Sequence, residues 1–250
     1  MSSIQQTLNR LRDLRLSAMA EAYELQGKQL KLHEIGFDDR FGLLVEFEVS
    51  ARESKKLKRL VSTASFPEPA SFEEIDYGIA RGLDKPFLTS LATCEWIRQQ
   101  LNLTILGATG VGKTWLACAF GNQACRLGMP VAFYRIINFY EKIANAIHDG
   151  SLPKLKTELI KPMLLILDDF GIGEISTAVA HVLLDVIDRR MRLGSLLITS
   201  QFPIEQWHDL FPDPTIADAI LDRIVHQSHQ LILKGESMRK VRASRYVNSW

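Results

Sequence analysis

Nothing in this chain of 250 residues asks for a membrane or an oxidising compartment. No uninterrupted apolar segment approaches the ~20 residues that span a bilayer. The opening stretch, MSSIQQTLNRLRDLRL, scatters Gln, Asn, Arg and Asp among its leucines and lacks the apolar core of a signal peptide. The three cysteines, Cys94, Cys118 and Cys125, form no CxxC pair and are odd in number. That suits a reducing compartment and incidental buried thiols, so the cytoplasm is expected. An excess of one charge is missing too: 30 Lys and Arg stand against 29 Asp and Glu, for a net charge of +1. Near-neutrality neither demands nor excludes nucleic acid, because a local basic stripe binds phosphate without moving the total. The six histidines fall at no metal-ligand spacing, and His226 and His229 read as ordinary hydrogen-bonding residues at a helix end. There is no Gly-x-Ser-x-Gly elbow, and the lone cysteines have no catalytic context. No internal repeat or low-complexity tract is seen.

What is present is an ordinary globular composition, 46% hydrophobic and 24% charged, enough for a packed core. The first quarter reads as helical. Ile4, Leu8, Leu11, Leu14 and Met19 recur at helical spacing. A second helix is expected from Asp38 to about Ser62, with Phe41, Leu44, Val45, Leu57, Leu60 and Val61 as its apolar positions and 27–36 as the break before it. The stretch 66–76 (FPEPASFEEID) carries two prolines and marks the best domain boundary. The expected organisation is a helical domain at 1–65 and a second domain at 66–250, with a linker at 66–80. Beyond it, strands at 103–106, 131–135, 164–168, 196–200 and 230–234 alternate with helical stretches, notably 138–148 and 179–192. That alternation predicts an α/β fold with a parallel sheet covered on both faces.

Gly107-Ala108-Thr109-Gly110-Val111-Gly112-Lys113-Thr114 matches the P-loop pattern in full. An apolar strand precedes it and a helix-forming run, 115–126, follows, with Trp115 read as packing. The glycines let successive N–H groups face the phosphates, and the helix N-terminus adds partial positive charge. Lys113 places a full charge on the β/γ oxygens, and the Thr114 hydroxyl suits Mg²⁺. The third strand, LLILDD, ends in acid beside that loop: Asp168 is expected in the Mg²⁺ shell and Asp169 on the attacking water. The fourth strand ends Thr199-Ser200-Gln201, with Ser200 or Gln201 as the phosphate contact, unless these residues simply begin the turn before Pro203. Arg223, on an amphipathic helix before the last strand, reads either as the salt-bridge partner of Asp222 or Asp218, or as a guanidinium offered to a neighbouring subunit's γ-phosphate. Arg239 is equally open.

Taken together, GATGVGKT, LLILDDFG, ITSQFP followed by Trp207, ILDRIVH and LKGESMR, in this order, resemble the IstB family from about Leu8 to Arg242. So do EFEVSARESKKLKR, the FPEP stretch and Ile75-Asp76 upstream. These are ATP-binding helper proteins of two-gene bacterial insertion sequences, related to DnaC helicase loaders and DnaA initiators within the AAA+ superfamily. The resemblance implies an AAA+ ATPase core with sheet order 5-1-4-3-2, a small helical N-terminal domain and no C-terminal lid domain. It implies ATP and Mg²⁺ as cofactors. It also implies a homo-oligomer with composite ATP sites on double-stranded DNA, and a transposase of the same element as partner. Carried over by position, it makes Gln201 the sensor, Arg223 an arginine finger acting in trans and Arg239 a second-sensor or interface residue. Asp169 departs from the glutamate common in AAA+ proteins.

Arg52, Lys55, Lys56, Lys58 and Arg59 form a basic run that reads as a solvated helix face from the residues alone and as a DNA contact under the resemblance. Lys154, Lys156 and Lys161 form a second candidate. No base-reading motif appears, which leaves specificity to a partner or to DNA shape. The rival functions are a replicative helicase loader, which shares the core, and a small-molecule P-loop kinase. The kinase has no use for the TSQ strand end or DRIVH.

Overall fold

The computed structural model describes residues 3–28, 35–78, 81–238 and 240. The chain divides into two compact units, Met1–Arg59 and Leu60–Trp250, and the division falls inside a helix, ahead of the proline-rich stretch.

The first unit is helical. Helices α1 (Ser3–Asp13), α2 (Ser17–Lys28) and α3 (Phe37–Ala64) follow one another. The expected continuous apolar stripe is broken between α1 and α2, where Arg15 takes a left-handed conformation (φ 59°). Beyond that kink the stripe no longer faces one way. Leu8 and Met19 are buried, whereas Ile4 and Leu14 are 57% and 69% exposed. On α3, Leu44 is buried against α2, while Phe41 and Val45, apolar positions of the same helix, are exposed. Glu48 is buried and accepts the Met19 N–H (3.0 Å) at the first turn of α2. That bond, with Arg52 beside it, holds its carboxyl below the usual range.

The second unit is an α/β layer structure. Five parallel strands, β1 (Asn102–Gly107), β2 (Val131–Arg135), β3 (Leu164–Phe170), β4 (Ser195–Ser200) and β5 (Ser228–Leu233), are ordered β2-β3-β4-β1-β5. This is the expected 5-1-4-3-2 sheet. Strands β1, β3 and β4 are buried almost throughout, as parallel strands covered on both faces must be. Helices α4 (Lys85–Ala92), α5 (Glu95–Arg98), α6 (Lys113–Arg126), α7 (Ile136–His148), α8 (Leu152–Ile160), α9 (Thr177–Arg190) and α10 (Pro214–Val225) complete the unit. On one side Phe139, Ile143, Leu159, Leu183 and Ile187 close over the strands.

The proline-rich stretch is not a free tether. Phe66 packs so tightly on α6 that only glycine fits at Gly121, and Asn122 donates to the Ala70 carbonyl (2.8 Å). Phe72 meets Phe120 edge-on at 4.8 Å. Two further devices fix the ends of the sheet. Asn102 donates to the carbonyls of Arg223 and Ile224 and accepts from the Leu196 N–H, tying β1 to α10 and β4. Arg190 is 1% exposed and donates to the carbonyls of Leu159, Pro162 and Ser195, stapling the segment before β3 to the start of β4.

Candidate nucleotide site

Three strand ends converge on one edge of the sheet because β4 lies between β1 and β3. Strand β1 runs into the P-loop, and Gly112 (φ 100°) caps α6, whose first residues are Lys113 and Thr114. Lys113 is 6% exposed, and its ammonium donates to the carbonyls of Gly107 (2.8 Å) and Ala108 (3.0 Å). Burial pulls its pKa down, against the opposing pull of Asp169 and Asp168.

The Thr114 hydroxyl stands 3.0 Å from both oxygens of Asp168, which is fully buried. Thr199 supplies the link from β4: its hydroxyl donates to Asp168 Oδ1 (2.7 Å) and accepts the Asp169 N–H (2.9 Å). One threonine thus positions both acids. The β3–β4 register slips between Leu167 and Phe170, so that two residues, Asp168 and Asp169, occupy the space opposite Thr199. The bulge turns Asp169 into the left-handed region (φ 62°) and leaves it half-buried. Such a bulge re-aims a side chain at the sheet edge.

Gln201 sits just beyond β4, where its side-chain oxygen accepts from Thr109 Oγ1 of the P-loop (2.8 Å). Ser200, the alternative contact, is turned away. It is fully buried, donates to the Phe170 carbonyl and accepts from the Phe202 N–H, because alternation along β4 sends it to the opposite face. The turn after Gln201 is pinned by Trp207, fully buried against Phe170. Sequence reasoning passed over Thr199. Its signal is the spacing: Thr199 and Gln201, two residues apart at the end of an aliphatic strand, fall on one face.

Arg223 is apart from this cluster. Asp213 caps α10 by accepting from Thr215 and Ile216 N–H, and Pro214 opens the helix. Arg223 then reaches Asp188 of α9 (2.9 Å) and the Ala219 carbonyl. Neither expected partner holds it, since Asp222 faces His226 and Asp218 faces His208. Arg239 lies outside the described residues. Of the basic candidates, Arg52 is tied to Glu48 and the Arg15 carbonyl, and Lys156 to Asp185 (2.7 Å), so both already have partners within the chain. Lys154 and Lys161 are exposed. Lys55, Lys56, Lys58 and Arg59 make no ion pair with any described residue.

Burial raises the Asp168 pKa above the ordinary carboxylate value, while the Thr199 and Thr114 hydroxyls pull it back. A group whose folded pKa is raised destabilises the fold once pH climbs past its unfolded value. Asp168→Asn is therefore expected to melt higher than the parent at neutral pH. The advantage should shrink as pH falls toward the folded pKa and vanish below the unfolded one. The same variant should lose ATP turnover by about two orders of magnitude or more, since it removes the buried carboxylate that touches Thr114. Melting curves across acidic to neutral pH, beside a turnover assay, check both halves. A lower melting temperature at neutral pH would contradict the first.

The fold and this site define a P-loop ATP-binding protein with a five-stranded parallel α/β core. The chain belongs to the IstB-like ATP-binding protein family, which matches residues 9–245. It is 38% identical to an insertion-sequence ATP-binding protein of Sinorhizobium fredii, over 94% of this chain and 96% of that one. Among solved structures it is similar in fold to DnaI (TM-score 0.58, 18% identity, 71% of this chain and 94% of that chain). It is likewise similar to AMPPCP-bound DnaA from Aquifex aeolicus (TM-score 0.58, 15% identity, 74% of this chain and 56% of that chain). No described helix is long and apolar enough to cross a membrane.

Proposed function

We propose that this protein is a cytoplasmic, DNA-dependent ATPase that assembles with ATP on duplex DNA and recruits or stimulates the transposase of its own insertion sequence. The observation that carries the reading is the meeting of the P-loop, Thr114 and Asp168 in a chain that matches insertion-sequence proteins over nearly its whole length. A helicase loader is the weaker reading, because the likeness to the DnaC helicase loader at 20% identity is one of fold.

Hard oxygen donors fit a divalent cation: Thr114 Oγ1 and the Asp168 carboxylate converge within 3.0 Å. Mg²⁺ held there would neutralise charge on the β- and γ-phosphates. The rest falls to the chain's own groups. Lys113 and the P-loop N–H groups seat the phosphates. Asp169, aimed by the bulge, orients the attacking water and takes its proton. Gln201, fixed to Thr109, reads the γ-phosphate. Arg223 acts on the adjacent subunit's γ-phosphate, because its place on α10, held by Asp188, gives it no contact with its own P-loop. The helical segment 1–65 serves DNA binding and oligomerisation, and 66–250 is the ATPase domain.

DNA contact falls on Lys55, Lys56, Lys58 and Arg59, with Lys154 as a second point, because these cations are not consumed by the described ion pairs. Reversing Lys55, Lys56 and Arg59 to Glu should weaken binding to random-sequence duplex by more than about tenfold and flatten its salt dependence by about three charges. Nucleotide affinity should not move. Anisotropy titrations at several salt concentrations test this. Unchanged DNA affinity in the triple variant would remove the basic run from the interface.

A further inference from the structure

The P-loop is flanked by the two ends of the ATPase unit, and its glycines register it. A Cβ at Gly107 would run into the Leu233 carbonyl at the end of β5, and one at Gly110 would run into Ser237. The Met238 N–H donates to the Gly110 carbonyl (2.8 Å), so the segment after β5 is laced to the loop. At Gly112, the residue capping α6, a Cβ would stand 3.4 Å from Nη1 of Arg81. Arg81 is 6% exposed. Its Nη2 donates to the Asp76 carbonyl (3.2 Å), and its own carbonyl accepts the Lys234 N–H (2.9 Å). Arg81 is thus tied by its side chain to Asp76 and by its backbone to the segment after β5.

Arg81 stands where positive charge already gathers. The N-terminus of α6 already carries the helix's partial positive charge, and Lys113 adds a buried ammonium there. Arg81 adds a cation beside this helix end, where Asp169 and Asp168 already face Lys113, and a bound polyphosphate would be drawn to both cations. A neutral side chain of the same length would serve the backbone lacing equally well, since that lacing runs through the Arg81 carbonyl.

We propose that Arg81 is a further nucleotide-binding residue, acting in cis on the α/β-phosphate end of the bound nucleoside polyphosphate. The inference rests on the P-loop being the nucleotide site. Gly112 and Lys113 open the helix beneath the α- and β-phosphates of a P-loop ligand, whereas Thr109, Gln201 and Asp169 gather at the γ end. Arg81 therefore complements Arg223. One holds the nucleotide by the part common to ATP and ADP, and the other acts on the part that is cleaved.

The test is calorimetric titration of ATP and ADP into the full chain and its Arg81→Met, Arg81→Lys and Lys113→Ala variants. Arg81→Met should lose about tenfold or more in affinity for ATP and ADP alike, with a flatter salt dependence. Arg81→Met binding ADP as tightly as the parent would overturn the proposal. So would a weakened affinity with an unchanged salt slope, which marks lost packing. If Arg81→Met does not fold, Arg81→Lys decides. Affinity within about fivefold of the parent supports a cation's role, and a loss as large as that of Lys113→Ala in a folded protein refutes it. A parent that binds neither nucleotide takes down the P-loop reading itself, and this inference with it.

Discussion

Lys113→Ala should lose measurable ATP binding, a weakening of at least about a hundredfold, while the protein stays folded. The Lys113 ammonium is buried at the head of α6 and bonded to the carbonyls of Gly107 and Ala108, so it also braces the curve of the loop. Alanine removes the charge and the brace together. It removes little from the core, which is built of Phe120, Leu103, Ile105 and their neighbours. Burial holds the Lys113 pKa down, meaning that the charged form is strained in the fold. The nucleotide-free variant should therefore melt no lower than the parent. Calorimetry paired with thermal unfolding separates the outcomes. Undiminished binding in a folded variant would remove the P-loop from the site.

Arg223→Ala should bind ATP normally, fail to hydrolyse it, and regain turnover when mixed with Lys113→Ala. Within its own subunit Arg223 reaches Asp188 and the Ala219 carbonyl and touches no P-loop residue. On the proposed function, an arginine so placed acts on a neighbouring chain's γ-phosphate. Each variant supplies the half that the other lacks. In a random equimolar mixture about a quarter of the interfaces join an intact P-loop to an intact Arg223 in a head-to-tail assembly. Turnover near that fraction of the parent is the expected reading. A mixture as inert as its components would mean that Arg223 does not act across an interface.

The sheet was legible because parallel strands buried on both faces must be aliphatic runs, and LTIL, VAFYR, LLILDD, LLITS and QLILK stand out between helical stretches. Their order followed from the resemblance rather than from periodicity. The P-loop and the acid pair were legible because their residue types are dictated locally, by backbone curvature and by charge at a strand end. The bulge that aims Asp169 was not, since it depends on how β3 registers against β4. Thr199 escaped for the same reason: its importance arises from Asp168 and Asp169 lying across the ladder. The N-terminal stripe misled at Ile4 and Leu14, because a left-handed turn at Arg15 interrupts the helical period without any glycine or proline to signal it. Arg81 was invisible in the sequence. It is brought to Gly112 only by the closing of β5 against β1 and the hydrogen bond from Lys234.

The most direct measurement is the mass of the protein in solution with ATP and Mg²⁺, with and without random-sequence duplex DNA, beside an ADP control. A large assembly that forms on DNA with ATP and not with ADP is the expected result. A monomer that ignores DNA in both nucleotide states would contradict it and leave a P-loop enzyme acting on a small molecule.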